Sequence, residues 1–147
     1  MNAPRWSAVL LSAALFVPLP GRAEDGKTEI KGAAILDHPC GKVAVKQMGL
    51  IHDGKTEEAF RLGTPEMQAK WKALPDKDRA MMLEMMKAMS KTEAQLADEI
   101  KAGGLLVVDG RSATLTVKHE QKDANGSSSD TLTQSYVLDG ATCLISR

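Results

Sequence analysis

Five methionines fall within one short stretch of this 147-residue chain: Met81, Met82, Met85, Met86 and Met89. Met82, Met85, Met86 and Met89 recur at i, i+3, i+4 and i+7, the spacing that puts side chains on one face of a helix, opposite Glu84, Lys87 and Lys91. Such a face has three uses. As a core stripe it fills irregular apolar gaps, which suits a chain that is only 3% aromatic. Left exposed, it grips an apolar ligand or a partner protein. Thioethers are also soft ligands for Cu(I), but no His-rich tract accompanies these four. The core stripe is the expectation, with the exposed face and the copper site as alternatives.

Cys40 and Cys143 are the only cysteines. Two thiols are too few for a four-cysteine zinc site, and they lie too far apart in sequence for a C-x-x-C redox motif. The expected product is a structural disulfide closing a loop of about a hundred residues, worth up to roughly 4–5 kcal/mol on the chain-entropy account.

Acid–base chemistry finds few candidates. Tyr136 sits on the expected inward face of a strand and joins the methionines as a candidate ligand or partner residue. His119 ends a strand between Lys118 and Glu120 and reads as a solvated edge, while His38 and His52 flank the first helix. There is no G-x-S-x-G serine and no glycine-rich phosphate loop. No catalytic residue is assigned, no cofactor is expected, and the reading leans away from an enzyme.

Overall charge narrows the partners further. With 19 Lys+Arg against 19 Asp+Glu there is no electrostatic reason to expect nucleic acid. Residues 1–23 have a short basic start, an apolar run over 6–20 and small residues Gly21 and Ala23 at the −3 and −1 positions of a cut before Glu24. These are the parts of a secretory signal peptide. Its apolar run is shorter than the roughly twenty residues that cross a bilayer, and no later stretch approaches a membrane span. Cleavage removes Arg5 and Arg22, leaving 17 basic against 19 acidic residues, or −2. The expected location is periplasmic or secreted, where a thiol pair oxidises.

These residues need a scaffold, and the hydrophobic period changes once, near Gly103-Gly104. Residues 24–37 read as a lead-in in which 28–31 can form a strand, and 38–147 read as a single α+β domain. Helices are expected from Pro39 to about His52 and over 56–62. A third runs from a Thr64 cap and Pro65 to Leu74, and a fourth covers 76–89. A fifth over 93–102 starts from a Thr92/Gln95 capping box. The first carries Val43, Met48 (or Gln47), Leu50 and Ile51 as its apolar stripe. After the glycines the period is two. Strands are expected over 105–108, 113–118, 131–138 and 141–146, turning at Asp109-Gly110 and Asp139-Gly140, with 123–129 as a polar loop. The inward residues are Ala113, Leu115, Val117, Leu132, Tyr136 and Ile145.

The stretch Gly54-Lys55-Thr56-Glu57-Glu58-Ala59 between two helices, Thr64-Pro65-Glu66-Met67 opening another, and the strand Ala113-Thr114-Leu115-Thr116-Val117 carry a resemblance. Together with the Asp139-Gly140 turn they resemble small secreted bacterial members of the nuclear-transport-factor-2-like (cystatin-like cone) superfamily. The resemblance implies N-terminal helices packed against a curved C-terminal antiparallel sheet of about four strands, cone-like, with a pocket inside. It implies no single activity, because that fold hosts isomerases, cyclases and non-catalytic binding modules. The expected function is an exported, non-catalytic module that binds a small apolar ligand or an envelope protein, with a homodimer as a further partner state. The alternatives are a small cone-type isomerase or hydrolase, marked by a paired acid and base in the pocket, and a methionine-based copper-binding protein.

Overall fold

The computed structural model describes residues 26–147, so the expected signal peptide and the first two residues of the lead-in lie outside the described residues. Within them the helical half is α1 (Pro39–His52), α2 (Thr56–Phe60), α3 (Pro65–Ala73), α4 (Asp76–Met89) and α5 (Glu93–Gly103). The strands are β1 (Lys27–Lys31), β2 (Gly104–Asp109), β3 (Ser112–Asp123), β4 (Gly126–Asp139) and β5 (Thr142–Ile145). The fold is α+β, with an antiparallel sheet in the order β1-β2-β3-β4-β5, not closed into a barrel.

Local chemistry sets the helix ends. Thr64 accepts a hydrogen bond from the Met67 N–H ahead of Pro65, and Thr92 and Gln95 cap each other's backbone at the start of α5. Each satisfies donors that a helix start leaves orphaned. Gly110 and Gly140 take φ of 58° and 61°, which lets Gly110-Arg111 and Gly140-Ala141 serve as the two-residue loops of their hairpins.

The sheet has five strands where about four were expected. β1 pairs with β2 from Lys27↔Asp109 to Lys31↔Leu105. A 3₁₀ turn over Gly32–Asp37 follows, whose Ile35 is fully buried. The lead-in is thus built into the core. Its strand, KTEIK, has one apolar residue and recruits itself through backbone pairing, which no hydrophobic period reports. The charged residues of β1 also blunt that edge of the sheet. At the opposite edge, Thr64 N–H donates to Ile145 O at 2.8 Å and Ile145 N–H to Leu62 O at 3.0 Å, covering β5.

The core lies between one face of the sheet and three elements: the 3₁₀ turn, α1 and α5. Leu106, Ala113, Leu115, Val117, Tyr136, Cys143 and Ile145 point in from the strands. Ile35, Cys40, Ala44, Leu96 and Ile100 meet them. The face of α1 that does this is made of small residues, Gly41, Ala44 and Gly49, beside Cys40 and Ile51. The larger Val43, Met48 and Leu50 of the expected stripe are half-buried at its flanks. Cys40 and Cys143 form a disulfide with Cα atoms 5.0 Å apart, joining the start of α1 to β5.

Two expectations fail. The segment 123–129 is not a loop. β3 and β4 pair continuously to Asp123↔Gly126, leaving only Ala124-Asn125 to turn. Polar residues are tolerated in that ribbon because the far half of β4 meets water on both faces. Leu132, expected among the inward residues, is 39% exposed. It has the right parity but lies beyond the reach of the helices.

The methionines are the larger correction. No residue of α4 is buried. Met81, Met85 and Met89 are 67%, 57% and 73% exposed, and Met82 is 36% exposed. The half-buried residues of α4 are Arg79, Leu83 and Met86, so the helix turns toward the protein a face roughly a quarter-turn away from the methionine seam. The inner face of the sheet has finite area, and α1, α5 and the 3₁₀ turn occupy it. What remains for α4 is a peripheral seat against α1. Met82, Met85, Met86 and Met89 are therefore not a core stripe.

Candidate functional site

Where the sheet outruns the helices, a cleft of about 460 Å³ opens between α1, the end of α4, α5 and the β3–β4 ribbon. Its apolar walls are Met48 of α1, Met89 of α4, Val117 of β3 and Leu132 of β4. Its polar lining is Lys91, Glu99, His119 and Asp130. The sequence spreads these four over some forty positions, and three features collect them. The capping box fixes the first turn of α5, which brings Lys91 back over its own helix. Both Glu99 oxygens then accept from Lys91 Nζ at 2.7 Å. Finally, β3 runs past Val117 far enough for His119 Nδ1 to lie 3.1 Å from Glu99 Oε1. Asp130 faces His119 across the ribbon in the strand register.

Glu99 is the anchor. Its side chain is 19% exposed, less than either partner. A carboxylate held this far from water needs its lone pairs satisfied, and the ammonium and the imidazole do that. A carboxylate only accepts, so His119 carries a proton on Nδ1, and Nε2 is the nitrogen left for a ligand. The polar end of the cleft is thus an imidazole positioned by a fixed carboxylate. His119, read from sequence as a solvated edge, is instead half-buried and a partner of Glu99. The signal was faint. Glu99 and Lys91 look like ordinary members of a charged helical surface until α5 is docked on the sheet.

The predicted residues scatter. Met89 lines the cleft, while Met82 lines a separate groove of about 200 Å³ with Phe60, Met67, Trp71 and Leu74. Phe60 and Trp71 stack there at 3.9 Å between centroids. Met85 faces solvent, and Met86 is half-buried against the protein. Tyr136 is nowhere near them. It is 1% exposed in the core, and burial pushes its hydroxyl pKa up. Among the described residues that hydroxyl has no hydrogen-bond partner. Tyr136 therefore belongs to the core and shares no face with the methionines. Of the other histidines, His38 caps α1, with Nδ1 accepting from Cys40 N–H at 3.2 Å. His52 Nδ1 lies 3.4 Å from Ser90 Oγ at the α1–α4 junction.

Among the described residues, no group of three or more His, Cys, Asp or Glu side chains is placed to hold a metal ion. No helix among them is long and apolar enough to cross a membrane. The disulfide is compatible with an oxidising compartment. Compared with protein-family models, curated proteins and solved structures, the chain matches none.

Proposed function

We propose that this protein is an exported, non-catalytic α+β module whose cleft takes a small apolar molecule carrying one hydroxyl or amine. The observation that carries the reading is the cleft itself: four apolar walls and, at one end, an imidazole that Glu99 holds at Nδ1, which leaves Nε2 for a ligand. Its volume of about 460 Å³ falls in the roughly 300–1,000 Å³ range of small-molecule sites. Export is supported by the composition of residues 1–23 and by the Cys40–Cys143 bridge. Kinship with the nuclear-transport-factor-2-like superfamily is part of the proposal, supported by an open antiparallel sheet with helices on one side.

The test is equilibrium binding of a series of 4-alkylphenols. Each added methylene is expected to tighten binding about fourfold, from about 0.8 kcal/mol per buried CH₂, until the cleft is full. His119→Ala and removal of the phenol hydroxyl are expected to weaken it by the same factor, about fivefold for one hydrogen bond. No binding, or binding indifferent to the hydroxyl, sinks the reading.

The Glu99–His119 pair also favours a second reading. The Nε2 left for a ligand is the atom a general base uses, and the carboxylate behind it steadies the imidazolium that forms. This is the cone-type isomerase or hydrolase, and its mark is turnover of an activated aryl ester that His119→Ala abolishes.

A further inference from the structure

The α1–α4 junction juxtaposes soft donors from two helices. Met48 and His52 are i, i+4 on α1, so they share a face of that helix. Met89 of α4 and Met48 of α1 line one cavity. One residue further, Ser90 reaches His52, with Oγ 3.4 Å from Nδ1. Met86, a turn before, is half-buried on the side of α4 that faces the protein. Two thioether residues that share a cavity and an imidazole tied to the residue after one of them are thus gathered at one helix junction, from chain positions some forty residues apart.

The hydrogen bonds decide which imidazole nitrogen is available. The Ser90 hydroxyl donates its proton to Lys87 O at 2.6 Å. Its oxygen can then only accept from His52, so Nδ1 carries a proton toward Ser90 and Nε2 is the nitrogen left for a ligand. Fixing the tautomer through the far nitrogen is how proteins prepare a metal-binding histidine. We propose that this junction is a soft-metal site that binds one Cu(I) through the sulfurs of Met48 and Met89 and Nε2 of His52, with Met86 as a further sulfur.

Neutral thioether and imidazole ligands suit Cu(I) and offer little to hard cations. The exposure of Met89 lets its flexible side chain swing onto the metal without disturbing the core. The site differs from the one the methionine spacing suggests. Met82 lies in the groove beside Trp71, and Met85 points to water. It shares Met48 and Met89 with the walls of the cleft, and the two readings are told apart because a leucine at either position keeps an apolar wall and loses only the sulfur.

The experiment titrates the oxidised protein anaerobically with Cu(I), held reduced by ascorbate, against a chromogenic Cu(I) chelator. One equivalent is expected to be retained. Met48→Leu, Met89→Leu and His52→Ala are each expected to weaken it at least about tenfold, Ser90→Ala by about tenfold through the lost tautomer, and Met82→Leu and Met85→Leu not at all. Unchanged circular dichroism and thermal stability of the leucine variants show that folding is intact, and Zn(II) is expected not to compete. Failure to retain Cu(I) overturns the proposal. So does weakening by Met82→Leu or Met85→Leu that matches Met48→Leu and Met89→Leu, because the metal then sits on the exposed seam.

Discussion

At the N-terminus of α1, His38 shows how one side chain links local structure to pH. Its Nδ1 accepts from Cys40 N–H, and burial holds its pKa below the ordinary 6.5. A protonated ring cannot accept, so acid removes the cap. The unfolded chain takes up this proton more readily than the folded one, so folding gains stability as pH rises through the window just below 6.5. That contribution is complete above the unfolded value and is lost as pH falls toward the folded value. Asn supplies an acceptor that does not titrate. Urea unfolding of His38→Asn between about pH 5 and pH 7 is expected to show a flatter stability profile than the parent in that window. An identical slope would show that another group carries it. Gly41 makes a steric point. A Cβ there would lie 1.9 Å from the Ile35 carbonyl oxygen, a backbone atom, whereas at Gly49 it would meet the flexible Glu93 side chain. Gly41→Ala is expected to cost at least about 3 kcal/mol and Gly49→Ala about 1 kcal/mol in chemical denaturation.

Elements differ in how plainly the sequence announces them. All five helices were legible because caps and prolines are local signals. Thr64, Pro65, Thr92 and Gln95 act through neighbours at most three residues away. The β2–β3 and β4–β5 hairpins were legible from their Asp-Gly turns, whereas the β3–β4 hairpin, which turns at Ala124-Asn125, was not. What escaped was anything decided by which surface was already occupied. The i, i+3, i+4, i+7 seam of α4 has the form of a core stripe, yet the sheet's inner face was filled by Leu96 and Ile100 of α5 and the small face of α1. The Glu99–His119 pair was hidden for the same reason, since helix–sheet docking creates it. Met85→Ala is accordingly expected to change unfolding free energy by less than about 0.5 kcal/mol, and Ile100→Ala to cost about 2–5 kcal/mol. Comparable losses at both would return α4 to the core.

For the whole molecule, the disulfide is the chief constraint on the unfolded chain. Replacing Cys40 and Cys143 by Ala is expected to cost about 2–5 kcal/mol in urea unfolding under oxidising conditions. No difference from the parent would mean that the bridge is absent in solution. The Cys40–Cys143 bond also has a mechanical consequence. It encircles α1 to α5 and most of the sheet, with a sequence separation of 103, so tension applied at the two ends of the fold passes through sulfur and never enters the ring. Pulled from handles at Gly26 and Arg147, the oxidised protein can release only β1, the 3₁₀ turn and the last few residues, roughly 60 Å of contour. Reduced, the same protein can pay out roughly 420 Å. Under load, the helices and the cleft they frame are bystanders. Only a reductant exposes them to force.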